Sequence, residues 1–168
     1  MAEKITKLAT LVQLDQPTVT QGLDTYLTVG LFRKSPETVK WYEKRLRSLI
    51  AYLGEGVSLV AVMEADLLDW VASLEQKSTR WGGASTHPES SGGLSPHTIR
   101  GHVRAAKTFF GWLKERGVIE ANPAELIPLT KVPKTARKGI ADPDVRKMLE
   151  AARGDVRDYA ILRFVEAS

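Results

Sequence analysis

SPETVKWYEKRLRSLIAYL, residues 35–53, and SPHTIRGHVRAAKTFFGWL, residues 95–113, decide the fold. They align at an offset of 60 with Ser, Pro, Thr and the final Leu identical and the apolar positions matched. Ser is a favoured N-cap and Pro suits the first helical position, so each stretch opens a helix. The first is predicted to run to about Leu53, where Gly54 and Gly56 stop it, with Val39, Tyr42, Leu46, Leu49, Ile50 and Leu53 on its core face. The second is predicted to reach about Arg116, before Gly117. The charges coincide as well: Lys40 with Arg100, Lys44 with Arg104, Arg47 with Lys107. Each helix therefore carries cations at i, i+4 and i+7, away from its apolar face.

Outward from this pair, Val19, Leu23, Tyr26, Leu27 and Leu31 recur at helical spacing and predict a helix over residues 18–33, preceded by Pro17 and an N-terminal leader, 1–17. A further helix, about Glu64 to Gln76, is expected to turn Leu67, Leu68, Val71 and Leu74 inward and its carboxylates outward. Residues 78–94 are rich in Gly and Ser and read as a mobile loop, with Trp81 as its large apolar anchor. Asn122-Pro123 begins a short helical turn, and the basic stretch from Pro128 to Gly139, holding Pro128 and Pro133, reads as an extended linker. Asp142-Pro143 is expected to cap another helix, and residues 157–168 begin one more. Their apolar faces, Val145, Met148 and Leu149 with Ile161, Leu162 and Val165, are too few to close a core. The expectation is an all-α chain: leader 1–17, helical domain 18–128, basic linker 129–139, and the truncated start of a second domain, 140–168.

The 168 residues are 43% hydrophobic and 26% charged, an ordinary globular profile that excludes disordered and collagen-like classes. With no Cys there is no disulfide, thiolate metal site or cysteine nucleophile. Glu3, Lys4, Lys7 and Asp15 interrupt what a signal peptide would keep apolar, so a cytoplasmic protein with no membrane partner is expected. The net charge of +4 is modest, but it is sorted. Residues 54–77 hold Glu55, Glu64, Asp66, Asp69 and Glu75 against one Lys77, whereas 128–140 hold Lys131, Lys134, Arg137 and Lys138 without an acid.

Two parallel cationic stripes, a basic linker and a separate acidic helix form a footprint for a phosphate backbone. Ser35 and Thr38 on one helix start, and Ser95, His97 and Thr98 on the other, add polar groups where the helix dipole favours an anion. The helical wheel turns Trp41 outward between Lys40, Lys44 and Arg45, either toward a neighbouring helix or toward a sugar or thymine methyl. Gly101, at the matching position, fits either close approach of DNA to the backbone or simple tolerance. The candidate DNA-binding set is thus Ser35, Thr38, Lys40, Trp41, Lys44, Arg45, Ser95, His97, Thr98, Arg100, Gly101, Arg104, Lys107, Lys131, Lys134, Arg137 and Lys138. Other chemistry is thin. His87, His97 and His102 do not share a metal-binding spacing, so no metal is expected, and His102 reads as structural at the edge of the apolar face. Tyr159 has no accompanying base or oxyanion group and reads as a packing residue. Two other classes compete: a stand-alone helical protein-interaction module, and a helical DNA-binding regulator, which would need a helix-turn-helix with a short turn.

The order of these segments, with FFGWLKERGVIEANPAE at 109–125 and RDYAILRFVEAS at 157–168, resembles the N-terminal part of the tyrosine recombinases, the phage integrase family. The resemblance covers about Thr18 to Ser168. It implies a four-helix, SAM-like core-binding domain forming half of a clamp on duplex DNA, its second and fourth helices meeting the major groove through Ser35, Thr38, Lys40, Trp41, Lys44, Ser95, His97, Thr98, Arg100 and Arg104. It also implies a catalytic domain as the other half of the clamp and recombinase protomers as partners in a synaptic tetramer. The family forms a 3'-phosphotyrosyl bond without a cofactor, using residues that all lie beyond Ser168. Cleavage is therefore implied for a longer parent protein, and no enzymatic activity for this chain.

Overall fold

Thr18 ties the start of the chain to its middle. Its hydroxyl accepts from the Gln21 amide and the Gln21 side chain accepts from the Thr18 amide, 3.2 and 2.9 Å, a reciprocal cap that opens a helix. On the other side of the cap, Val19 N–H donates to Val57 O and Leu59 N–H to Pro17 O, at 2.9 and 2.8 Å. The computed structural model describes residues 2–77, 79–80, 90–132 and 140–166, which fall into two compact units, Met1–Val132 and Pro133–Ser168.

The first unit is helical: α1 Ala2–Gln13, α2 Val19–Thr25, α3 Pro36–Leu53, α4 Glu64–Glu75 and α5 Pro96–Glu115. Strand structure is confined, among the described residues, to Thr79–Arg80 paired antiparallel with Ser90–Ser91. Most of the expected loop 78–94, including Trp81, lies outside the described residues. The expected leader is helix α1, and Leu11 is 2% exposed within the core. The helix expected over 18–33 is α2 followed by a π-turn, Tyr26–Gly30, in which Leu31 N–H reaches back to Tyr26 O at 3.0 Å. The wider turn seats Tyr26 edge-on against Phe109 and Trp112, with ring centroids 5.4 Å apart in each case. A Cβ on Gly30 would collide with the Tyr26 ring.

The long central helix α5 buries Ile99, Val103, Ala106, Phe109, Phe110 and Leu113 and forms the spine of the core. Its end follows glycine chemistry: Gly117 takes φ 70° while Val118 N–H donates to Leu113 O at 3.0 Å. In α3, Leu46, Leu49 and Ile50 are buried, and Val39, Tyr42 and Leu53 pack at the rim. Helix α4 corrects the expected face. Leu67, Trp70 and Leu74 are buried while Leu68 is 42% exposed, because i, i+3 and i+7 share one side and Leu68 is rotated about 100° away.

In the second unit, α6 Asp142–Ala151 and α7 Val156–Glu166 flank a 3₁₀ turn. Ala141, not Asp142, is the N-cap of α6: Asp144 and Val145 donate to its carbonyl, and no side chain caps that end. Helix α7 is capped instead by Asp155, whose Oδ1 accepts from Arg157 and Asp158 N–H at 2.9 and 3.1 Å. No described residue of this unit is fully buried.

Candidate nucleic-acid interface

The two helix starts repeat atom for atom. Ser35 Oγ accepts from Thr38 N–H and Ser95 Oγ from Thr98 N–H, both at 3.2 Å, and the paired hydroxyls lie 3.0 and 2.9 Å apart. One amide at each end is thereby satisfied by the protein's own serine. Ser35 and His97 are exposed, while Thr38, Ser95 and Thr98 are half-buried.

Behind the caps, Lys40, Lys44 and Arg104 are exposed and Arg100 is half-buried. Arg47, matched with Lys107, holds Glu43 one turn back at 2.9 Å. Lys107 is drawn inward: its Nζ donates to Glu125 O at 3.0 Å, and Lys114 holds the Glu125 carboxylate at 3.1 Å. Those bonds fasten the 122–127 segment, whose Ala124 and Ile127 are buried.

Trp41 does not stand outward as the helical wheel implied. It is half-buried, edge-on to Tyr42 at 4.9 Å, and the Arg45 guanidinium carbon lies 3.9 Å from its ring centre. Arg45 Nη1 also donates to Trp41 O at 3.0 Å. Gly101 is buried at the place where this pair meets α5. A Cβ there would lie 3.0 Å from Arg45 Nε and 3.6 Å from Trp41 Cζ2, so packing inside the fold explains the glycine. Positions 41 and 101, equivalent in the repeat, thus meet where α3 crosses α5.

His102 follows this junction and is 9% exposed, edge-on to Trp70 at 5.9 Å. Burial lowers its pKa to about 4, with the charges of Arg45, Lys77 and Lys44 adding to the effect and a hydrogen bond to the Arg45 backbone opposing it. It is neutral at ordinary pH. Lys77, the lone cation of an acidic stretch, is exposed. Lys131 is exposed; Lys134, Arg137 and Lys138 lie outside the described residues. Among the described residues no three His, Asp or Glu side chains gather as a metal site, and no helix is long and apolar enough to cross a membrane.

No protein-family model matches the chain. Curated relatives do. The chain is 31% identical over 131 residues to tyrosine recombinase XerC of Salmonella typhi and 30% identical over the same length to that of Yersinia pestis, covering 76% of this chain and 39% of each relative. A third XerC, from Xanthomonas axonopodis pv. citri, is 25% identical over 147 residues, 86% of this chain and 47% of the relative. The chain thus spans less than half the length of the relatives it matches. Its fold is similar to a lambda integrase dimer solved on a COC' core site, with TM-score 0.57, 13% identity and coverage of 83% of this chain and 35% of that one. It is also similar to a lambda integrase tetramer solved on a Holliday junction, with TM-score 0.59, 14% identity and coverage of 88% and 38%.

Proposed function

The chain belongs to the tyrosine recombinase family, and on that premise we propose that residues 18–128, braced by α1, form a core-binding domain that grips duplex DNA as one half of a recombinase clamp. The observation that carries this reading is the repeated helix: α3 and α5 open with the same cap and both present cations beside it. Ser35, Thr38, Lys40, Lys44, Ser95, His97, Thr98, Arg100 and Arg104 are the proposed contacts, joined by Lys131, Lys134, Arg137 and Lys138 of the linker at 129–139. Trp41, Arg45, Gly101 and Lys107 act behind them, holding α3, α5 and the 122–127 segment in register. Residues 140–168 then begin a catalytic domain, and further protomers join on the DNA, as the lambda integrase assemblies do on theirs. DNA strand exchange belongs to the longer protein. This chain by itself is proposed to bind without cutting, and incubation with duplex DNA is expected to yield no covalent adduct through Tyr159 or any other residue.

Binding to a mixed-sequence duplex at low salt tests the face. It is expected to be weak and steeply salt-dependent, each phosphate contact adding about 0.9 to the slope of log K against log salt. Arg100→Glu with Arg104→Glu is expected to weaken binding and flatten the slope. Asp66→Lys with Asp69→Lys on α4 is expected to leave it unchanged or slightly tighter. Arg100, Arg104 and Asp69 lie at or near the surface and their replacement should change melting little. Asp66 instead accepts from Met63 N–H at 2.8 Å at the start of α4, so the α4 pair should melt somewhat lower while still folding cooperatively. A neutral arginine pair together with lost binding in the α4 pair would put the DNA face on the wrong side of the domain. An unsubstituted chain that binds no duplex at all, with Trp41, Trp81 or the acidic helix α4 contacting another protein, would favour the interaction-module reading.

A further inference from the structure

Between the π-turn and α3 the chain makes an elbow, Phe32–Arg33–Lys34, that no sequence pattern singles out. Arg33 has φ 72°, the one non-glycine residue with positive φ among those described. At Gly54, Gly92 and Gly117 the chain meets the same requirement with glycine, where it costs nothing sterically. Here it uses a long cation in a conformation that disfavours any residue with a Cβ. The elbow is held from beneath: Leu31 is 5% exposed, Lys34 N–H donates to Leu31 O at 3.0 Å and Phe32 N–H to Val29 O at 3.3 Å. Above that anchor Phe32 is 45% exposed, with the Arg33 guanidinium carbon 5.7 Å from its ring centre. Arg33 and Lys34 are both exposed, and no carboxylate occurs between Asp24 and Glu37.

We propose that this elbow is a further contact with duplex DNA, Arg33 and Lys34 meeting the sugar–phosphate backbone and the Phe32 ring covering a sugar face beside them. The inference rests on the DNA-binding reading above and extends it to residues outside the two helices. Three observations point the same way. The strain at Arg33 sits on a surface turn, where tolerated strain often has a functional reason. An exposed aromatic ring with one cation against it and a second next in the chain matches the mixed apolar and anionic surface of a nucleic-acid backbone. Lys34 directly precedes Ser35, the cap of α3, so the elbow continues the cationic edge at the helix end that favours a phosphate.

Glycine at position 33 separates function from strain, because it accepts φ 72° while removing the charge. In the 168-residue chain Arg33→Gly is expected to leave the melting temperature unchanged or raised. Affinity for a mixed-sequence duplex at low salt should nevertheless fall several-fold, with a salt slope shallower by about one. Phe32→Ala and Lys34→Gln, each at an exposed site, should weaken binding with little change in melting. If Arg33→Gly, Phe32→Ala and Lys34→Gln all bind like the parent while Arg100→Glu with Arg104→Glu weakens binding, the elbow serves only to end the turn and the inference fails alone. If the parent binds no duplex at low salt, the DNA-binding reading and the elbow contact fail together.

Discussion

At the scale of single residues, His102 carries the clearest physical consequence. It is a base whose pKa is 6.5 when exposed and about 4 when folded, so between those values the unfolded chain binds more protons. Its contribution to stability is complete above pH 6.5 and is lost as the pH falls toward 4, by at most about 3 kcal/mol for a gap of this size. His102→Gln should therefore flatten the acid side of the stability profile between pH 6.5 and 4, measured by urea unfolding against the parent. Parallel profiles for the two chains would mean that His102 charges freely in the folded state. Gly101 beside it shows how one absent methyl sets an interface. The Arg45 side chain lies along α5 because nothing projects from position 101, and its guanidinium then rests on Trp41.

At the scale of elements, α1 separates a helix that belongs to the core from one that merely precedes it. Leu11 is 2% exposed and Val12 is 45% exposed on the same helix. Leu11→Ala is expected to cost about 2–4 kcal/mol through lost burial and the cavity left behind. Val12→Ala should stay within about 0.5 kcal/mol, as surface changes do. Equal, small effects in chemical denaturation would return residues 2–13 to the role of a dispensable leader. Helices α3 and α5 divide their work differently: their ends are governed by local serine caps, their middles by mutual packing at positions 41, 45 and 101.

For the whole molecule, the two units differ in how much they bury. The first has a continuous core around α5, built from α1 through α5 and the 119–127 segment, whereas no described residue of the second is fully buried. In α6 and α7, Met148, Ile161, Phe164 and Val165 stand 41%, 50%, 75% and 66% exposed. Two helices of 10 and 11 residues with such faces fall below the length at which helices persist unaided. A peptide of residues 140–166 is expected to show little helix by circular dichroism and no cooperative melt. Residues 1–132 should melt cooperatively by themselves, and a cooperative transition confined to the peptide would overturn the division.

The caps and lengths of α3 and α5, the apolar face of α3 and the cationic repeat were determined by the sequence itself, because each depends on residues within a few positions of one another. Ser35 and Ser95 sit three residues from the amides they cap, and a lone Gly117 suffices to end α5. Family membership was legible for the same reason, through ordered local segments. Tertiary structure alone decided what depends on distant partners. It turned Trp41 inward against Gly101, sixty positions away, placed Trp70 rather than Leu68 in the core, drew Lys107 to Glu125, and made the first residues a packed helix through Leu11. A helical wheel gives the angle of a side chain about its own axis. Which angles are buried depends on the neighbours that the fold brings alongside.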